Sequence, residues 1–242
     1  MATATKEEAN EEPREDRSRT LGAAEWIALA GVLLGYPLWV FLPLDWGGWI
    51  GAVYAGDRAA WWTIWSVLIA SHAPVFALTW LAVARAGGWR SIGLDWGWFA
   101  RRKITLLIIA LALIASAWFA PAWLYPAGVP RVAESGFLFP LGGPERMFVL
   151  LAAVVAGVTE EIMYRGFAMT RLTRMIRSRW AAALVSSAAF AAIHYNQTAA
   201  EWGIYLAAGL VFAIPFVLMK LKRLEYLIAA HILVDSAIAF AP

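Results

Sequence analysis

The sequence predicts an all-α polytopic transmembrane bundle of about seven spans, because 62% of its residues are hydrophobic, only 15% are charged, and apolar stretches recur at membrane-crossing length. A soluble domain is closer to half apolar and a quarter charged. The charge is also unevenly placed. Ten of the 37 Asp, Glu, Lys and Arg side chains precede Thr20, which leaves the rest of the chain poorer still.

Residues 1–20 mix acids and bases with almost no large apolar side chain, and a disordered polar tail is expected because such a segment cannot offset the entropy of ordering. The tail is too acidic for a transit peptide, and no short apolar segment with a small-residue cleavage site follows, so the first hydrophobic stretch is expected to stay as an anchor. About 20 apolar residues cross roughly 30 Å of hydrocarbon. The stretches that qualify are 22–42, 61–84, 104–125, 147–170, 180–197, 202–219 and 224–240. Near 87–103, between the second and third, Trp89, Ile92, Trp96 and Phe99 recur at helical spacing beside Arg101, Arg102 and Lys103. That pattern predicts an amphipathic helix lying in the interface.

Positive charge alternates along these spans. Sixteen Lys and Arg side chains fall in the tail and in the connections after spans two, four and six; three, Arg58, Arg131 and Arg146, fall in the alternate connections. The positive-inside bias predicts a cytoplasmic amino terminus and an external carboxyl terminus. Trp46, Trp49, Trp61 and Trp62 about the first outer loop, and Trp123, Tyr125 and Phe137 about the second, suit interfacial aromatic belts. The lipid bilayer is the expected partner, and a prokaryotic cytoplasmic membrane the expected location. With no cysteine, disulfides, thiolate ligands and a cysteine nucleophile are excluded. A net charge of +3 without a basic–aromatic run gives no case for nucleic acid.

Ionisable side chains inside spans are costly, and each is a functional candidate unless it lies near enough to an end to snorkel. Span four reads AGVTEEIMYRGFAMT. Glu160 lies about 11 residues, roughly 16 Å, from the cytoplasmic cluster that begins at Arg171. Glu161 and Arg165 are four apart and share a helical face, whereas Glu160 is turned about 100° away and lacks that partner. Such a carboxylate in low dielectric suits a general base. His194 ends Phe190-Ala-Ala-Ile-His194 in span five, and His231 and Asp235, four apart, share a face of span seven. Their depths, roughly 21, 10 and 16 Å, bracket that of Glu160. His72, before Pro74 and without a partner at helical spacing, reads as a structural or kink-associated residue.

Together these residues resemble the CPBP intramembrane proteases, which include the prenyl-protein CAAX proteases and proteins linked to bacteriocin processing and immunity. The family's signatures stand here as Glu160-Glu161-Ile-Met-Tyr-Arg165, Phe190-Ala-Ala-Ile-His194 and His231-Ile-Leu-Val-Asp235. Asp235 occupies a position that is often Asn in the prenyl-protein proteases. Residues 21–145 match only as generic membrane helices, so the motifs place the catalytic part in 146–242.

The resemblance implies peptide-bond hydrolysis in the membrane, with a membrane-associated peptide or protein, prenylated in the CAAX enzymes, as substrate. Glu160 with His194 would activate water, His231 with Asp235 would hold a metal or stabilise the oxyanion, and Arg165 would fix Glu161. His194, His231, Glu160 and Asp235 suggest a zinc set, and a metal-free mechanism is the alternative. A proton- or ion-coupled transporter is the competing class, because Glu, His and Asp at mid-depth also describe proton relays; the lack of a repeat speaks against it. A non-catalytic immunity or scaffold protein is a third.

Overall fold

A computed structural model describes residues 20–41, 45–104, 140–194 and 198–240, together with 107, 108, 111 and 115, and every regular element among them is helical. The tail before Thr20, nearly all of the expected span 104–125, and the belt residues Trp123, Tyr125 and Phe137 lie outside the described residues. The first apolar stretch comprises α1 (Ala23–Ala30), a π turn (Gly31–Gly35) and α2 (Tyr36–Phe41). After it come α3 (Trp46–Tyr54), α4 (Arg58–Arg85) and α5 (Trp96–Arg101). The second half holds α6 (Gly143–Glu160), a π turn (Glu161–Met169), α7 (Thr170–Ile176), α8 (Arg179–Ala192), α9 (Ala199–Leu218) and α10 (Leu224–Ser236).

Among the described residues, three helices are long and apolar enough to cross a membrane: Arg58–Arg85, the continuous run Gly143–Ile176, and Ala199–Leu218. Their 28, 34 and 20 residues correspond to about 42, 51 and 30 Å. Two other expected spans are shorter than their hydrophobic stretches. Among the described residues of the 180–197 stretch the helix runs over Arg179–Ala192, and Thr198 caps α9 in a reciprocal pair with Glu201. The 224–240 stretch is helical to Ser236 and tightens into a 3-10 turn over Ala237–Phe240.

The segment near 87–103 departs from its expected single amphipathic helix. It folds as a 3-10 turn (Trp89–Ile92) and the short α5, broken at Gly93, where φ is 81°. A Cβ at Gly93 would sit 2.5 Å from the Leu221 carbonyl oxygen, and the Gly93 carbonyl accepts the Leu224 N–H at 3.0 Å. Close backbone approach to the α9–α10 connection therefore overrides helical periodicity. Ile92, Leu94 and Trp98 turn into the protein, leaving Trp96 exposed. The connection between the first two expected spans contains a helix of its own, α3, whose N-terminus Asp45 caps by accepting the Gly48 N–H at 2.9 Å.

Candidate active site

The span that begins with α6 is the centre of the bundle. Its helix widens at Glu161 into a π turn of nine residues, all of them buried, and such insertions re-aim the side chains around them. Ser186 on α8 donates to the Tyr164 carbonyl in this turn at 2.7 Å. Gly157, one turn before Glu160, lets α10 approach: a Cβ there would lie 2.7 Å from Ile232 Cγ1 and 3.0 Å from the Ile232 backbone nitrogen. The residue before Ile232 is His231, so this close crossing sets the imidazole against the two glutamates.

The adjacent carboxylates have different surroundings, as a rotation of about 100° per residue requires. Glu161, fully buried, receives the His231 Nδ1–H on Oε1 at 2.7 Å, and Arg165 Nη1 lies 3.1 Å from the same oxygen. Arg165 is held in turn by the Gly209 carbonyl on α9 at 3.0 Å, with its guanidinium 4.4 Å above the Phe190 ring. Glu160, 6% exposed, has one oxygen engaged: Oε1 lies 3.0 Å from His72 Nε2 on α4. Its Oε2 lies 3.8 Å from His231 Nε2 and has no hydrogen-bond partner among the described residues.

His231 joins these groups. Nδ1 faces Glu161, Nε2 lies 3.3 Å from Asp235 Oδ2, and the ring stacks on Phe212 at 4.9 Å. Each contact is made by one hydrogen between a ring nitrogen and a carboxyl oxygen, and where the carboxylate is ionised the ring nitrogen is the donor. The Asp235 side chain is 31% exposed, which places it at the open side of an otherwise closed cluster.

Of the six residues expected at the site, five form one connected network: Glu160, Glu161, Arg165, His231 and Asp235. His194 stands at its edge. Its Nδ1 donates to the Phe190 carbonyl at 2.9 Å, its ring stacks on Tyr205 at 4.0 Å, and Phe190 stands between it and His231 with centroid distances of 4.7 and 6.3 Å. With a proton on Nδ1, neutral His194 offers a lone pair at Nε2.

One reading of the sequence changes here. Glu160 lacks Arg165, as its place on the helix requires, but His72, read as a structural or kink-associated residue, meets it across the α4–α6 crossing. His72 lies about 13 residues, roughly 20 Å, from Arg85. That depth is close to Glu160's, so depth was the signal that could have found it. Among the described residues no group of three or more His, Asp or Glu side chains is arranged to hold a metal ion. Within the quartet of His194, His231, Glu160 and Asp235, both carboxylates face His231 and His194 stands apart behind Phe190.

The described residues thus form a helical protein with apolar spans and a buried carboxylate–imidazole network centred on one of them. The family model for type II CAAX prenyl endopeptidase, Rce1-like, matches residues 143–237. The matched residues contain all three motifs, in line with the resemblance to CPBP proteases, and the match supports a CAAX-type protease acting on a membrane-associated protein. No curated protein and no solved structure matches the chain.

Proposed function

We propose that the protein is an intramembrane endopeptidase that hydrolyses a peptide bond of a prenylated, CAAX-type substrate with a water activated by Glu160. The observation that carries this reading is the division of labour between neighbouring glutamates. Glu161 is tied to Arg165 and His231, whereas Glu160 keeps one carboxylate oxygen beside the His231 Nε2.

In this reading water sits between Glu160 Oε2 and the scissile carbonyl. As the water oxygen bonds to the carbonyl carbon, Oε2 takes one of its protons, and the carbonyl electron pair moves onto oxygen. His231 Nε2–H, which faces Asp235 before substrate enters, turns to share its hydrogen with that oxyanion, the kind of contact whose loss costs about 10²- to 10³-fold in rate elsewhere. The intermediate collapses as the C–N bond breaks and Glu160 returns its proton to the leaving nitrogen. The new carboxylic acid passes the remaining water proton to His194 Nε2. Asp235 orients His231 from the open side, and Arg165 keeps Glu161 charged and in place.

The test is purified protein in liposomes with a farnesylated CAAX peptide and its unmodified counterpart. Wild-type protein is expected to release the three-residue tail from the farnesylated peptide. Glu160→Gln, which preserves volume and removes the base, is expected to be inactive yet folded. A folded Glu160→Gln protein that cleaves at the normal rate removes Glu160 from this role. Elemental analysis of the same active preparation addresses the zinc alternative, with well below one metal per chain expected at full activity. The sixteen-to-three charge asymmetry supports the proposed orientation: reporters fused after Lys220 should score cytoplasmic and those after Pro242 external.

A further inference from the structure

His72 lies outside the segment that matches the family model, yet it makes the one hydrogen bond that Glu160 has among the described residues. We propose that His72 is a positioning residue: it holds Glu160 Oε1 and so presents Oε2 alone to the reacting water. This rests on Glu160 being the base.

The imidazole is fixed on three sides. Nδ1 lies 2.7 Å from the Leu68 carbonyl oxygen one turn back in α4, and Nε2 lies 3.0 Å from Glu160 Oε1. The Tyr36 ring meets the imidazole edge to face at 5.4 Å. Tyr36 and its neighbour are themselves tied, since the Tyr36 hydroxyl lies 3.3 Å from Ser71 Oγ, which donates to the same Leu68 carbonyl at 2.8 Å. With 6% of its surface exposed, His72 has little room to turn. Its rotamer is set by contacts other than the one with Glu160, which distinguishes a support from a passive partner.

A proton count adds a second argument. A carbonyl oxygen only accepts, so Nδ1 carries a hydrogen. The contact between Nε2 and Oε1 then needs another, and with Glu160 ionised as the base it is carried by the nitrogen. The pair therefore holds one proton more than a neutral imidazole beside a bare carboxylate, and its net charge is zero. That neutrality lets a carboxylate stay at mid-span without a lysine or arginine of its own. It also fixes which oxygen is free. Oε1 is bound in the shared hydrogen bond, and Oε2 faces His231 Nε2 at 3.8 Å. Without His72, Glu160 can rotate toward the His231 donor and lose its line to the water.

Two amides separate positioning from plain packing. Glutamine reaches as far as Nε2 and can still donate to Oε1. Asparagine, a methylene shorter, can keep the contact with the Leu68 carbonyl but cannot reach Glu160. In the liposome assay His72→Gln is expected to retain kcat within about tenfold of wild type. His72→Asn is expected to lose about 10²-fold in kcat, the scale of a misplaced catalytic group, with KM unchanged. Both are read on folded, monodisperse protein beside Glu160→Gln. Equal activities for the Gln and Asn variants, or a loss confined to KM, overturn the positioning role, as does failure of both to fold, which makes His72 structural. An active Glu160→Gln protein, or a wild type that cleaves neither peptide, overturns the underlying reading and the positioning role with it. An inactive Glu160→Gln beside a fully active His72→Asn overturns the role of His72 alone.

Discussion

Helices Gly143–Ile176 and Ala199–Leu218 are equally apolar over their best 18-residue windows, yet 56% of the first window is buried inside the protein against 22% of the second. The first carries Glu160, Glu161, Arg165 and Arg171, all buried. The second shows Ile204, Val211 and Leu218 on its surface, each more than 60% exposed. In a bilayer both faces are apolar, so average hydropathy cannot separate a central helix from a lipid-facing one. What separates them is where the costly side chains sit, because only neighbouring helices can supply their partners.

The difference is broken most severely by removing one member of the central ion pair. Glu161→Gln or Arg165→Ala leaves a buried charge without its counter-charge, and a loss of about 3 to 5 kcal/mol is expected. Thermal unfolding in detergent should show it, together with loss of cleavage. A stable, active Arg165→Ala protein would remove the claim that this helix is held by charge.

Gly157→Ala comes next. Alanine improves helix propensity by about 1 kcal/mol, but its methyl meets both the side chain and the backbone of Ile232, and overpacking of this kind costs about 1 to 3 kcal/mol. The clash is expected to win, and by shifting α10 it should lower activity more than stability. The same substitution at Gly203 of α9, where a Cβ meets nothing within 4 Å, should be neutral or stabilising. Chemical denaturation of the pair of variants compares the two helices directly.

Val211→Ala, on the exposed face of α9, is expected to change stability by no more than about 0.5 kcal/mol. A larger effect would indicate that this face is covered by protein and not by lipid.

The smallest effect concerns Asp95, which caps α5. The Arg101 guanidinium, 2.8 Å from its Oδ2, holds the carboxyl below its usual range, and the Gly97 N–H adds to this. A group depressed in the folded state contributes above its ordinary titration range and loses that contribution as pH falls through the depressed value. Acidification should therefore release α5 locally, visible as a lower protection factor for the Gly97 amide after the intrinsic pH dependence of exchange is divided out. Asp95→Asn should abolish the pH dependence while leaving cleavage at neutral pH unchanged.

The helical class and the groups that meet at the site were largely legible because membrane burial makes ionisable residues conspicuous. Glu161–Arg165 followed from helical spacing alone, and His231–Asp235 likewise. Helix ends were less legible, since hydrophobicity continues past Ala192 and Ser236 while the backbone does not remain α-helical. His72 was missed because its partner is 88 residues away, and a pattern sought within one helix cannot register a contact between two. Gly93 misled for a related reason: its conformation is dictated by Leu221, far along the chain.

The buried Arg171 has a bearing on how the protein is made. Its Nε donates to Glu25 Oε1 at 2.9 Å across 146 positions of sequence, while its terminal nitrogens reach Ser91. A nascent chain delivers Glu25 first and Arg171 much later, so the opening helix must wait in the membrane for its counter-ion. The segment 143–237 synthesised alone would enter the bilayer with Arg171 lacking its acid and Glu160 lacking His72. Supplying residues 1–142 as a separate polypeptide should therefore raise the accumulation of 143–237, measured by immunoblot of membranes.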